Sequence, residues 1–188
     1  MPTADSKAAR RDVTRNRARI IAAARDVFAE QGITAANEAI IAAAGVGPST
    51  FYRHFPARTD LFTAVLHDLA AAATDVARRA ESITDPWEAF ADVFTHGCVL
   101  PGPEVALFYA IAATSPEATE LANAATARIV EPVLTRARAA GVIDPHLDVG
   151  TVVDLMSAAH TAPTPQRRHT RAITLLTGLR QPGRQESP

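Results

Sequence analysis

Apolar residues recur along this chain with the period of an α-helix. Ile20, Ile21, Ala24, Val27 and Phe28 fall at i, i+1, i+4, i+7 and i+8, which lines one helix face. Thr14 is placed to cap that helix and Gly32 to end it. A second helix is expected from Asn37, as its cap, to Gly45. A third fits between Gly47-Pro48 and Pro56, because proline suits a helix start and disfavours helix in the residue before it. Leu61, Phe62, Val65, Leu66, Leu69 and Val76 form the stripe of a long fourth helix.

Five more helices are expected beyond residue 81. Asp85-Pro86-Trp87-Glu88 reads as an N-cap, a proline at the first helical position and a capping-box glutamate, with Phe90, Val93, Phe94 and Gly97 following on one side. A shorter helix covers 103–114, and a longer one covers 117–140 with a kink at Pro132. Asp148 opens the next, with Val149, Val152, Val153, Met156 and His160 in register. The last runs over 165–179 and buries Ala172, Ile173 and Leu176, with Leu179 as a further candidate. The chain shows no strand alternation, Asn-Gly hairpin, internal repeat or phosphate-type glycine loop. The expected class is all-α, with about nine helices.

Composition narrows the function classes. No apolar run reaches the roughly 18 residues of a membrane span, and no signal-peptide pattern opens the chain. The single cysteine, Cys98, excludes an internal disulfide and a cysteine-cluster metal site; it reads as a small core residue and fits a reducing cytoplasm. His67, His96, His146 and His160 are spaced as no local ligand motif is, so neither metal nor cofactor is expected. Ser157 and His160 share a helix face without further partners, and no nucleophile–base constellation points to an enzyme.

The net charge of −1 conceals an asymmetry. Residues 1–60 carry +3 and the remainder −4, and Lys7, Arg10, Arg11, Arg15, Arg17 and Arg19 face only Asp5 and Asp12. The split suggests an N-terminal part that meets a polyanion, against an ordinary solvated arm as the alternative. Arg15, Arg17 and Arg19 would lie in the first turns of the first helix, where the dipole disfavours cations unless phosphates arrive; local pairing with Asp12 or Asp26 is the other explanation.

Residues 33–61 carry the most information. A short helix, a tight Ala44-Gly45-Val46-Gly47 turn and a second short helix form a helix-turn-helix, with Gly45 supplying a positive φ and Val46 filling the angle. Phe51 and Phe55, four apart, should face inward onto Phe28. The opposite face then shows Pro48, Ser49, Tyr52 and Arg53, with His54 at its edge and Arg58 at the start of the fourth helix. Such side chains suit hydrogen bonding to phosphates and base edges.

Residues 17–66 resemble the DNA-binding domain of the TetR family of transcriptional regulators. The matching residues are Ala24, Phe28, Gly32, Ile41-Ala42, Ala44-Gly45-Val46, Thr50, Tyr52-Arg53-His54-Phe55, Arg58, Leu61 and Val65. The resemblance implies a cytoplasmic homodimer whose N-terminal domains enter successive major grooves of an operator, with an effector pocket and a dimer interface beyond the fourth helix. By matched position Thr50, Tyr52, His54 and Arg58 would contact phosphates, while Pro48, Ser49 and Arg53 would approach bases. Asn37 is added to this DNA-binding set. Two departures stand out. Ala36-Asn37-Glu38 replaces the usual Thr/Ser pair and aliphatic residue, with Ile40 rotating inward in compensation, and Gly47-Pro48-Ser49 replaces the commoner Ser-x-Gly.

The domain organisation expected is a basic arm over 1–13, the helix-turn-helix domain over 14–60, an effector and dimerisation domain over 61–180 and a disordered tail over 181–188. Trp87, Phe90, Phe94, Phe108, Tyr109, Met156 and His160 are the candidate pocket, apolar with a few polar handles. The helices over 148–161 and 165–179 are the candidate dimer interface. The reading is a homodimeric repressor released from a palindromic operator by a small molecule. The rival is a small-molecule-binding helical protein with a degenerate helix-turn-helix and no operator, favoured by Glu38 and the small positive charge.

Overall fold

The computed structural model describes residues 4–72, 74–99 and 103–181. Ten helices are assigned among them: α1 (Ala4–Gln31), α2 (Asn37–Ala44), α3 (Pro48–His54), α4 (Arg58–Ala72), α5 (Thr74–Ser82), α6 (Pro86–Val99), α7 (Pro103–Ala112), α8 (Pro116–Ala139), α9 (Val149–His160) and α10 (Pro165–Leu179). The class is all-α. Of the stripe expected of the fourth helix, Leu61, Phe62, Val65, Leu66 and Leu69 lie on α4 and Val76 on α5. No described helix is long and apolar enough to cross a membrane. The expected tail, from 182 onward, lies outside the described residues.

Side-chain caps mark four of the ten helix starts. The Asp85 carboxylate accepts from the Glu88 N–H at 2.8 Å, Ser115 from Ala118, Asp148 from Thr151 and Thr164 from Arg167, each satisfying a donor that a helix start leaves open. Proline occupies the first turn of α3, α8 and α10.

Two expectations about helix starts are corrected. α1 begins at Ala4, so Thr14 lies in its interior and is not its N-cap. Arg15, Arg17 and Arg19 are likewise far from the first turn, and the helix dipole no longer bears on them. At α2 the cap position belongs to Ala36, in extended conformation and without a side-chain cap bond. Asn37 is the first helical residue, and its amide oxygen is turned to Arg58 instead.

The apolar residues gather in two clusters. The first joins Ile20, Ala24, Val27 and Phe28 of α1 to Ile40 of α2, Phe51 of α3, Phe55, and Leu61, Val65 and Leu69 of α4. It also takes in Leu107 and Ile111 of α7, so the N-terminal unit is seated on the helix that follows α6. The second packs Phe90, Val93 and Phe94 of α6 against Val130 and Leu134 of α8, Val152 and Met156 of α9, and Ala172 and Leu176 of α10. Ile173 departs from expectation: it is 45% exposed, because Ala172 and Leu176 already occupy the inward side and the next residue is turned about 100° away.

Candidate functional site

The turn between α2 and α3 is built as the sequence requires. Gly45 adopts φ 60°, ψ 41°, a left-handed conformation that side-chain-bearing residues rarely take. This lets the Gly45 and Val46 N–H groups bond back to the Ala42 and Ile41 carbonyls. The Gly45 carbonyl in turn accepts from Arg19 Nη2 at 3.3 Å. Val46 packs on the first core at the angle between the two helices.

Helix α3 is sharply two-sided. Phe51 and Phe55 are 1% and 2% exposed, their rings 6.2 Å apart, whereas Pro48, Ser49, Tyr52 and Arg53 are exposed, Tyr52 at 45%. Thr50 and His54 sit half-buried at the edges. His54 Nε2 is buried without a hydrogen-bond partner among the described residues. Burial, then the charges of Arg53 and Arg17, push the His54 pKa down, which keeps its imidazole neutral near pH 7. Such a ring can donate one N–H without carrying charge. Glu38 is exposed while Ile40 is fully buried, as the inward rotation of Ile40 anticipated.

The basic residues are distributed differently from expectation. Arg15 pairs with Asp12 at 2.7 Å, and the Arg17 guanidinium lies 5.3 Å from the Phe55 ring. Arg58 turns into the fold. Its Nη1 donates to Asn37 Oδ1 at 2.5 Å, and its Nη2 to the Ile33 and Ala35 carbonyls, each at 2.7 Å. The same guanidinium lies over the Phe28 and Phe62 rings at 4.7 and 5.2 Å. Arg58 and Asn37, both expected at DNA, thus clamp the chain entering α2 to the start of α4.

A second candidate site is a cavity of about 190 Å³ lined by α4–α9 and open to solvent on one side. Phe108, Tyr109 and Met156 line it, as expected of the pocket set. Trp87, Phe90, Phe94 and His160 are not among the lining residues. Phe90 and Phe94 are consumed by the second core, and Trp87 packs on that core with the Arg180 guanidinium 5.1 Å from its ring. His160 lies directly behind the wall, stacked on Tyr109 with centroids 3.9 Å apart and 20° between planes. His96, Glu104 and Thr126 also line the cavity, though the sequence reading passed over them. The available signal was spacing: Glu104 precedes Phe108 by one helical turn, and His96 follows Val93 by three.

The titrations around the cavity follow from burial. The Tyr109 phenol, which donates to the Gly97 carbonyl at 3.4 Å, is pushed above its ordinary range by desolvation and then by Cys98. Burial lowers His160 to about 4, with Arg168 adding to the shift. His96 is lowered by burial and by Arg79, whose Nη2 lies 2.7 Å from His96 Nδ1, against an opposing pull from Asp92. The Cys98 thiol is 1% exposed and pushed up to about 12 by burial, which leaves it a core residue rather than a reactive one.

Comparison with known proteins places this geometry. Residues 20–65 match the family described as bacterial regulatory proteins, tetR family. No curated protein matches the chain. Among solved structures, a TetR transcription regulatory protein from Mycobacterium vanbaalenii is 27% identical. That match covers 92% of this chain and 99% of the other, with a TM-score of 0.60. RolR in complex with resorcinol is 20% identical (90% and 89% covered, TM-score 0.66). A putative transcriptional regulator from Saccharomonospora viridis in complex with choline is 15% identical (88% and 98% covered, TM-score 0.67). The last two likenesses concern the fold alone.

Proposed function

We propose that this chain, whose residues 20–65 match the family of bacterial regulatory proteins described as tetR, is a homodimeric, sequence-specific DNA-binding repressor released from a near-palindromic operator by a small molecule. The observation that carries this reading is the two-sidedness of α3. Two buried phenylalanines fix its inner face, and Pro48, Ser49, Tyr52 and Arg53 form an exposed outer face. A helix held this way can enter a major groove, with Arg53 at base edges and Thr50, Tyr52 and His54 at phosphates. Arg58 and Asn37 serve the same interface from behind, by fixing the helices that present it. The proposal places dimerisation on α9 and α10.

The cavity supports the effector half of the proposal. Two fold relatives hold small molecules, resorcinol and choline, and a cavity of about 190 Å³ in this chain is of a size for a ligand of that scale. Release requires that the ligand favour the DNA-incompetent state, since equal affinity for both states shifts nothing. Electrophoretic retardation of the DNA flanking the coding region tests the reading. A discrete retarded band, lost on adding effector, is expected; failure to retard that DNA or any other at low salt contradicts it.

A further inference from the structure

Among the described residues the cavity wall holds one carboxylate, and that group is shared. Glu104, at the start of α7, lines the cavity, and its Oε1 is ion-paired with Arg25 Nη2 of α1. Arg25 Nη1 simultaneously holds Asp68 Oδ2 of α4 at 2.7 Å. One guanidinium therefore serves two carboxylates, and the triplet keeps a charge of −1. Among the described wall residues and their partners the deficit is not made up: burial and Arg79 disfavour a charged His96, and Arg79 is itself matched by Asp92 at 2.9 Å.

Of the other polar wall groups, His96 in its neutral form keeps one ring N–H, whereas the two hydroxyls have their protons committed. Tyr109 donates to the Gly97 carbonyl and Thr126 to the Ala122 carbonyl, so each hydroxyl offers the cavity only oxygen lone pairs. Glu104 offers only acceptors as well. A wall mostly of carbon and acceptors, with one imidazole N–H beside a residual negative charge, selects for a donor, and for a cationic one above all. Size sets the other limit: 190 Å³ compares with the roughly 150 Å³ that accommodates one benzene ring.

We propose that the cavity takes a compact molecule of about one ring that carries an ammonium or similar cationic donor, and that this cation takes Glu104 in exchange for Arg25. The exchange leaves no charge stranded, because Arg25 retains Asp68 while Glu104 gains the ligand. It also severs the ion pair between α7 and α1, the helix on which the helix-turn-helix is packed. Arg25 thereby reports the ligand's charge to the DNA-binding unit. This inference rests on reading the cavity as the effector site.

Calorimetric titration of the full chain, without DNA, with benzylammonium, benzyl alcohol and benzoate tests it. Benzylammonium should bind about tenfold more tightly than benzyl alcohol, and benzoate more weakly than either. Glu104→Gln should erase the advantage of the cation while affecting benzyl alcohol far less. Arg25→Met removes the competitor, so it should tighten benzylammonium several-fold without affecting benzyl alcohol; a purely structural bridge would shift all the probes together. Equal binding of benzylammonium and benzyl alcohol, no binding of any probe, or a cation preference that survives Glu104→Gln would overturn the proposal. None of these results depends on DNA binding. A chain with the cation preference that retards no DNA would keep this inference and lose the repressor reading.

Discussion

The Arg58 guanidinium at the head of α4 and the Asn37 amide at the head of α2 are joined by a 2.5 Å hydrogen bond. Two backbone carbonyls and two aromatic rings share the same guanidinium. Arg58→Ala should therefore lower the stability of the fold by about 2–3 kcal/mol in urea unfolding. Arg58→Lys should recover less than half of that, since an ammonium cannot fork between three acceptors and lie flat on a ring. Unchanged stability with lost DNA affinity would instead return Arg58 to the phosphate role implied by its matched position.

His160 makes stability depend on acidity. Its folded pKa, about 4, lies below the ordinary value of 6.5, so between those limits the unfolded chain binds the proton more readily. The contribution is complete above pH 6.5 and is lost as pH falls toward 4. Replacing His160 with Phe retains a ring beside Tyr109 and removes the titration. From pH 7 to pH 5 the wild-type chain should lose on the order of 1 kcal/mol more stability than this variant, allowing for solvent screening of a half-exposed ring. Parallel stability profiles would contradict the assignment.

Gly97 and Met156 meet where α6 crosses α9. A Cβ at position 97 would stand 2.0 Å from Met156 Cε, the free end of a flexible side chain that also lines the cavity. Gly97→Ala should push that thioether into the cavity. Stability should change by less than about 1 kcal/mol, because better helix propensity offsets the repacking. Ligand affinity should fall several-fold in titration calorimetry. A large loss of stability with full ligand affinity would show that Met156 has no room to move.

Tyr52 and Arg53 separate affinity from specificity. Tyr52→Phe removes one hydroxyl from the exposed face and should weaken binding similarly across operator variants. Arg53→Ala should relax preference at one base position per half-site, with a loss of about 1–3 kcal/mol at the preferred base. Competition binding with a panel of single-base operator variants reads both. An Arg53→Ala protein with an unchanged base profile would remove Arg53 from readout.

How legible the molecule was in its sequence varied with the kind of contact involved. The α2–turn–α3 unit could be read closely, because its determinants are local: Gly45 for the turn, Pro48 at a helix start, Phe51 and Phe55 one turn apart. Arg58 could not, since its partners at positions 33, 35 and 37 are brought to it only by the folded chain. The start of α1 was hidden because Thr14 suits a cap equally well wherever a helix begins. For the cavity, aromatic character did not distinguish wall from core. Phe90 and Phe94 went to the core, and Glu104, an ordinary acidic residue in a first turn, reached the wall.

The most direct test of the central claim is how affinity for duplex DNA varies with salt. The account predicts that log K falls steeply and linearly with log salt concentration, with a slope of about −3 or steeper, as cations released from several phosphates require. A slope near zero, or no binding at the lowest ionic strength, would contradict it.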